Sequence, residues 1–160
     1  MAIDVLDLSS GLPERRLAAG EVLYDQGDPP SDVVILVGGR LRIAAGDLVI
    51  DTLSAPGTFV GEVGALLGQP RDATVTAEVD TLVRVIGDPA GFVADRPELG
   101  LEIARQLAGR LHRLTAYIGD VQRQFGDRDD HLGMFAEVLG RLSSRPSVDL
   151  EPGSDRSPDY

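Results

Sequence analysis

Between residues 21 and 86 the sequence consists of short runs rich in apolar and β-branched residues, separated by turns that contain glycine. Apolar and polar residues alternate in several runs, including residues 82–86, and this is the period of a half-buried strand. Gly46-Asp47 and Gly38-Gly39 each stand between two runs, and both pairs predict hairpins because glycine accepts positive φ. Such spacing indicates a β-barrel or jelly roll. The six predicted strands are 21–24, 32–37, 40–45, 48–53, 74–79 and 81–86.

After Gly87 the apolar period changes from two to between three and four, and Pro97 can begin a helix that runs from Glu98 to about Phe125. Residues around Leu99, Ile103 and Leu107 would cover the barrel. Further along, apolar residues recur at alternating spacings of four and three, as in the seam of a coiled coil. We expect residues 107–125 to form a homodimer interface; the alternative is that this stripe packs only against its own domain. The seam residues are Leu107, Leu111, Leu114, Ile118, Val121 and Phe125.

The ends of the chain are simpler. Residues 1–16 are mixed, with Leu6, Leu8 and Leu12 as the expected anchors. Gly126 should end the long helix, and acidic residues cap a short second helix over 131–142. The last residues are rich in Ser, Pro, Asp and Arg, which predicts disorder. The fold class is therefore mainly β with C-terminal helices, divided into a domain over 1–125, an accessory helix within 126–143 and a disordered tail over 144–160.

The stretch from residue 57 to 77 combines four glycines with two charged residues, Glu62 and Arg71, in an otherwise apolar setting. Glycine allows tight turns and close approach of the backbone to a small molecule. Residues 62–67 could form one helical turn with free N–H groups facing an anion. Arg71 could pair with two phosphate oxygens, and an ionised Glu62 could accept a hydroxyl. The stretch predicts a pocket for a ligand with a phosphodiester and a nearby sugar hydroxyl; the alternative is a solvated turn.

The same residues resemble a known motif, the phosphate-binding cassette of cyclic nucleotide-binding domains. These domains occur in bacterial catabolite activator proteins, in regulatory subunits of cAMP-dependent kinases and in cyclic-nucleotide-gated channels. With its upstream part, the resemblance covers roughly residues 17–115 and implies a jelly roll of the cyclic nucleotide-binding type. The matching segments are 59–62, 65–67 and 70–75 in the cassette, and 19–28 and 34–41 upstream.

The resemblance implies that cAMP or cGMP is the ligand, with Glu62 on the ribose 2′-hydroxyl, Arg71 on the cyclic phosphate and backbone amides near Gly61 and Ala73 completing the cradle. An aromatic residue of the long helix, Tyr117 or Phe125, could close over the base, although each is more often simply core. The expected ligand-binding residues are Gly61, Glu62, Val63, Arg71, Asp72, Ala73, Thr74 and Tyr117.

Asp72 departs from the family pattern, which usually has alanine, serine or threonine directly after the arginine. A carboxylate at this position could accept hydrogen bonds from a guanine edge, or it could pair with Arg71 and weaken the phosphate site. The choice between cAMP and cGMP stays open.

Composition narrows the function classes. The chain has 15 basic and 26 acidic residues, a net charge of −11 that would repel nucleic acid. It contains no cysteine and no lysine, which excludes disulfides, thiol chemistry and lysine-dependent catalysis. His112 and His131 both lie outside the β region, which argues against a metal-binding cupin. No apolar run approaches the length of a membrane span, so we expect a cytoplasmic protein that contacts no membrane.

These observations predict a stand-alone, non-enzymatic sensor that needs no cofactor. It would bind a cyclic nucleotide and signal through its C-terminal helices to a dimer mate or to an unknown downstream protein. Bacterial transcription factors of the family carry a helix-turn-helix after the long helix, and the short helix and acidic tail expected here do not resemble one. The alternative is a ligand-free dimeric scaffold of the same fold, in which Arg71 pairs with Asp72 or Glu62.

Overall fold

The computed structural model describes residues 3–125, and within them eight strands and four helices. The chain divides into two compact units, and the division falls after Arg110. The strands are β1 (Glu14–Leu17), β2 (Val22–Tyr24), β3 (Val33–Gly38), β4 (Leu41–Ala45), β5 (Leu48–Leu53), β6 (Phe59–Val60), β7 (Thr74–Ala77) and β8 (Thr81–Ile86). The helices are α1 (Val5–Leu8), α2 (Glu62–Leu67), α3 (Pro89–Asp95) and α4 (Pro97–Phe125).

The strands form two four-stranded antiparallel sheets, with orders β1-β8-β3-β6 and β2-β7-β4-β5. Residues of both sheets share one hydrophobic core, in which Val34 and Leu36 of β3 are fully buried. The alternate residues Val33 and Ile35 point to the other face of their sheet, where the helices pack. Burial on both faces explains why β3 is a continuous apolar run. The predicted fold class, a jelly roll with a C-terminal helix, is confirmed.

A second hydrophobic core lies between the outer face of the β1-β8-β3-β6 sheet and the helices. Leu99 and Ile103 of α4 are buried there, and Leu107 is partly buried against them, as the sequence predicts. At the other end of the chain, Leu6 and Leu12 pack against this core, but the anchoring role predicted for Leu8 is wrong. The Leu8 side chain is exposed because α1 is a single short turn, and Val5 is the residue of this turn that is buried.

The two glycine pairs have different outcomes. Gly46-Asp47 joins β4 to β5 in a two-residue hairpin closed by the pair Ala45 and Leu48, as predicted. The hairpin predicted at Gly38-Gly39 is wrong, because β3 and β4 belong to different sheets. Gly39 has φ of +106°, and a Cβ at this position would lie 2.6 Å from the Cα of Thr81. Glycine is needed here for a close crossing between sheets.

The sequence patterns did not indicate β1, β6, α1 or α3. β1 has three exposed charged residues and one buried residue, Leu17, and β6 is only two residues long. Neither strand therefore carries a recognisable period. The bounds of α2 match those of the predicted helical turn, and α4 begins one residue before its predicted start. The predicted helix over 131–142 and the tail lie outside the described residues. In the described part of the chain, no helix is sufficiently long and apolar to span a bilayer.

Candidate functional site: a cassette around Arg71 and Glu62

Gly61 begins the cassette in a conformation that other residues rarely adopt. Its φ is +91°, and it precedes the first residue of α2. A Cβ at this position would lie 2.7 Å from Nη1 of Arg71 and 2.9 Å from the ring of Tyr24. Both the positive φ and the close approach therefore require glycine. The consequence is that the guanidinium can reach the backbone of the turn.

Arg71 is the buried cation of the cassette, with 5% of the residue exposed. Its Nη1 donates to the Gly61 carbonyl at 2.7 Å, and its Nη2 donates to the Asp32 carbonyl at 2.6 Å. Nη2 also lies 3.5 Å from the Asp32 carboxylate and 3.4 Å from the Ser31 hydroxyl. Nε is buried and has no hydrogen-bond partner. The guanidinium is thus buried in the cassette with its Nε donor unused.

The ring of Tyr24 on β2 packs against this cation. The Cζ atom of Arg71 lies 3.9 Å from the centre of the Tyr24 ring, a cation–π contact. The Tyr24 hydroxyl donates to the Asp32 carbonyl at 3.2 Å. Burial is the main cause that raises the pKa of Tyr24 above its ordinary value, so the hydroxyl stays neutral.

Glu62 is the second buried charge, with 2% of the residue exposed. Its carboxylate forms an ion pair with Nη1 of Arg110 on α4, and Nη2 of the same arginine donates to the Phe59 carbonyl at 2.7 Å. Burial raises the pKa of Glu62 above its ordinary value, and the charge of Arg110 partly opposes that shift. The acidic residue of the cassette is therefore already engaged by the long helix.

Gln106, one turn before Arg110, makes a second connection between α4 and the cassette. Its side-chain oxygen accepts from the Phe59 amide at 3.0 Å, and its side-chain nitrogen donates to the Gly57 carbonyl at 3.0 Å. Side chains four residues apart lie on one face of a helix. Gln106 and Arg110 together hold the backbone from Gly57 to Glu62 against α4.

The other predicted ligand residues lie closer to solvent. Asp72 and Val63 are exposed, and Ala73 and Thr74 are partly exposed. The carboxylate that contacts Arg71 is that of Asp32, and not that of Asp72 or Glu62 as the scaffold alternative supposes. Tyr117 lies on α4 beyond the division between the two units, and its side chain is exposed. Its role as a lid stays a prediction, and the side chain of Phe125 lies outside the described set.

Four residues of this arrangement are absent from the sequence-based prediction: Tyr24, Asp32, Gln106 and Arg110. Arg110 had a usable signal, since it lies three residues after Leu107 and so beside the apolar stripe, where a charge needs a partner. Asp32 and Tyr24 had no comparable signal, because their contacts with Arg71 join positions about 40 or more residues apart. Among residues 3–125, no group of three or more acidic or histidine side chains is placed to hold a metal ion.

The chain is similar to several known proteins. A solved structure from work on a cyclic-GMP-dependent signalling pathway in bacterial phytopathogenesis is 28% identical, with a TM-score of 0.60, over 71% of this chain and 95% of that one. The CRP-like cAMP-activated global transcriptional regulator of Mycobacterium tuberculosis is 25% identical over 79% of this chain and 54% of its own length. Lysophospholipase NTE1 of Cryptococcus neoformans is 29% identical over 91% of this chain.

The chain spans only 8% of that lysophospholipase and about half of the regulator. The shared part is therefore a module that occurs both in regulators and within an enzyme. Residues 14–90 match the family model of the cyclic nucleotide-binding domain, and they contain the barrel, α2, Glu62 and Arg71. Residues 14–90 are therefore a cyclic nucleotide-binding domain.

Proposed function

We propose that this protein binds a cyclic purine nucleotide in the cassette and transmits its occupancy through α4 to a dimer mate or a partner protein. The observation that carries the proposal is the presence of two buried charges in one cassette. Arg71 has an unused Nε donor, and the carboxylate of Glu62 is paired with Arg110 of α4. A cyclic phosphate matches the first and a ribose hydroxyl the second. The domain acts as a regulatory module and catalyses no reaction.

The charges of Arg71 and Glu62 do not identify the purine base of the nucleotide. One relative is described as cAMP-activated, and one solved neighbour comes from a cyclic-GMP pathway, so both nucleotides are candidates here. The exposed carboxylate of Asp72, next to Arg71, could accept N–H groups of a guanine edge, which an adenine edge presents differently.

The proposed signal depends on competition for Glu62. A ribose hydroxyl that donates to this carboxylate replaces part of its interaction with Arg110. The contact between α4 and the cassette is then weakened by the free energy of the interaction that is lost. Leu111, Leu114 and Tyr117 are exposed on the last part of α4, which supports an interface with a second copy or a partner. A shift of α4 would then be read at that surface.

Isothermal titration calorimetry of the full chain with cAMP and with cGMP tests the binding. We expect saturable heat with at least one nucleotide, and a loss of about a hundredfold in affinity for Arg71→Leu, because the charge-assisted hydrogen bond from Nε to the phosphate is removed. Arg16→Leu, a change of the same kind at an exposed arginine of β1, should leave the affinity unchanged. Absence of heat with both nucleotides at millimolar concentration would exclude the sensor.

A ligand-free interaction module is the second candidate, and one observation favours it: both Nη atoms of Arg71 already donate to protein carbonyls. In that case neither nucleotide binds, and Arg71→Leu lowers only the free energy of unfolding. Sedimentation equilibrium with Leu111→Glu tests the dimer that both candidates share. We expect the wild type to be a dimer and the variant a monomer.

A further inference from the structure

Four residues of the β2-β7-β4-β5 sheet form one row across its strands. Tyr24 of β2 pairs with Val75 of β7, and Val75 pairs with Ile43 of β4. Ile43 in turn pairs with Asp51 of β5. Residues that pair directly across strands have their side chains on the same face of a sheet. Tyr24 and Val75 belong to the hydrophobic core that the two sheets share, and Ile43 packs against it. Asp51 therefore lies on the inner face of the barrel.

The first residue of this row contacts the cation of the cassette. The centre of the Tyr24 ring lies 3.9 Å from Cζ of Arg71. Neighbouring strands are about 4.8 Å apart, so the three steps from Tyr24 to Asp51 cover about 14 Å. A purine nucleotide with its phosphate on Arg71 extends over most of that distance along the row. Its sugar and base would lie over the apolar side chains of Val75 and Ile43, and the far edge of the base would face Asp51.

Asp51 is half-buried and has acceptor capacity that the protein does not use. Its Oδ1 accepts from the Thr52 amide at 2.8 Å, and this is its one hydrogen bond within the described residues. None of the ion pairs between described residues involves Asp51. A carboxylate on the inner face of a barrel is costly unless its oxygens find donors. Its Oδ2 is therefore open to N–H groups of a ligand.

The edges of the two purines present different groups to a carboxylate. Guanine presents two donors side by side, N1–H and N2–H, and one carboxylate can accept both. Adenine presents one donor, N6–H, beside the acceptor N1, whose lone pair a carboxylate oxygen repels. A site with an unused carboxylate at the base therefore favours guanine, because adenine leaves part of the acceptor capacity without a donor.

We propose that Asp51 reads the base of the bound nucleotide by accepting N1–H and N2–H of guanine, so that the cassette prefers cGMP to cAMP. This assignment rests on the proposed function, because it requires a cyclic nucleotide with its phosphate on Arg71. Base recognition then belongs to β5 and not to Asp72, which is exposed and directly follows Arg71 at the phosphate end of the row. Arg71 and Glu62 bind the cyclic phosphate and the ribose, and Asp51 selects the purine.

Isothermal titration calorimetry of the full chain with cGMP, cIMP and cAMP tests this preference. We expect cGMP to bind about thirtyfold more tightly than cAMP, because a bidentate contact to a base discriminates by about this factor. The base of cIMP keeps N1–H but lacks the N2 amino group, so its affinity should lie between the two. Equal affinities for cGMP and cAMP would overturn the assignment of Asp51 alone. Binding of none of the three would overturn the proposed function together with it.

Asp51→Asn tests the residue itself. Its side-chain oxygen can keep the bond to the Thr52 amide, and the open Oδ2 becomes an amide nitrogen. That N–H donor opposes the donors of guanine and matches N1 of adenine, so the preference for cGMP should fall about thirtyfold, to near equality. Retained cAMP binding shows that the variant is folded. Asp47→Asn, at an exposed carboxylate in the adjoining turn, should keep the wild-type preference. An unchanged preference in Asp51→Asn, or a preference lost in Asp72→Asn alone, would overturn the assignment.

Discussion

The two buried charges of the cassette lie in adjacent parts of one motif but are held by different parts of the molecule. Arg71 is held by the barrel, through carbonyls of Gly61 and Asp32 and the ring of Tyr24. Glu62 is held by α4, through Arg110. The Arg71 side therefore rests on the barrel, whereas the Glu62 side is shared with α4, the element proposed to transmit the signal. Glu62 contacts α4 directly, so we expect changes at Glu62 to affect α4 more than changes at Arg71.

Removing the ion pair between Glu62 and Arg110 should lower the free energy of unfolding more than the other changes. Arg110→Met leaves a carboxylate buried without its cation, and removing one partner of a buried pair costs about 3–5 kcal/mol of the free energy of unfolding. Urea denaturation followed by circular dichroism measures it. The loss should be at the lower end of that range, because part of the Arg110 side chain is exposed and Glu62 can take up a proton.

The double variant Glu62→Gln with Arg110→Met separates pairing from packing. Because it leaves no unpaired buried charge, it should recover more than half of the stability lost in Arg110→Met. Equal instability of the single and double variants would mean that the stem of Arg110, and not its charge, stabilises the contact.

Gln106→Leu tests the second connection of the cassette to α4. It leaves the Phe59 amide and the Gly57 carbonyl without their partner, which costs about 2 kcal/mol. The same denaturation experiment measures the change. Arg105→Gln, on the exposed neighbour, should stay within about 0.5 kcal/mol of the wild type. A loss as small as that of Arg105→Gln would show that water replaces the Gln106 side chain.

Sequence patterns predict the two charged residues of the cassette but not the groups that contact them. Local patterns predicted α2, α4 and most strands, because alternation and a glycine hairpin act over a few residues. They predicted Glu62 and Arg71 as chemistry-bearing residues for the same reason, since both lie in one short motif. They could not predict which groups hold these charges: Asp32, Tyr24 and Arg110 come from distant positions, and only the fold brings them together.

The glycine pair at 38 and 39 illustrates the same limit. A positive φ at glycine is compatible with a hairpin and with a crossing between two sheets, and the choice depends on which strands pair. Strand pairing is non-local: β3 pairs with β8, almost 50 residues later. A sequence pattern around Gly39 therefore cannot distinguish the two outcomes.

A smaller loss of stability is expected on the Arg71 side. Tyr24→Phe keeps the ring beside the guanidinium and removes one hydrogen bond to the Asp32 carbonyl, which Arg71 also satisfies. We expect a loss of about 1 kcal/mol in the free energy of unfolding. Nucleotide affinity should be unchanged, because the cation–π contact is retained. A large fall in affinity would mean that the hydroxyl, and not the ring, positions Arg71.

The smallest expected effect is a pH dependence that belongs to the Glu62 side alone. Burial raises the pKa of Glu62 in the folded protein above the ordinary value of 4.5, so the folded state holds this proton more tightly than the unfolded state. The resulting contribution to stability is fully present below pH 4.5 and is lost as pH rises through the folded pKa. The measurable quantity is the difference in stability between wild type and Glu62→Gln, because contributions common to both proteins cancel in it. That difference should shift against the wild type as pH rises from 4 to 7, whereas a difference that shifts in its favour would mean that Arg110 outweighs burial.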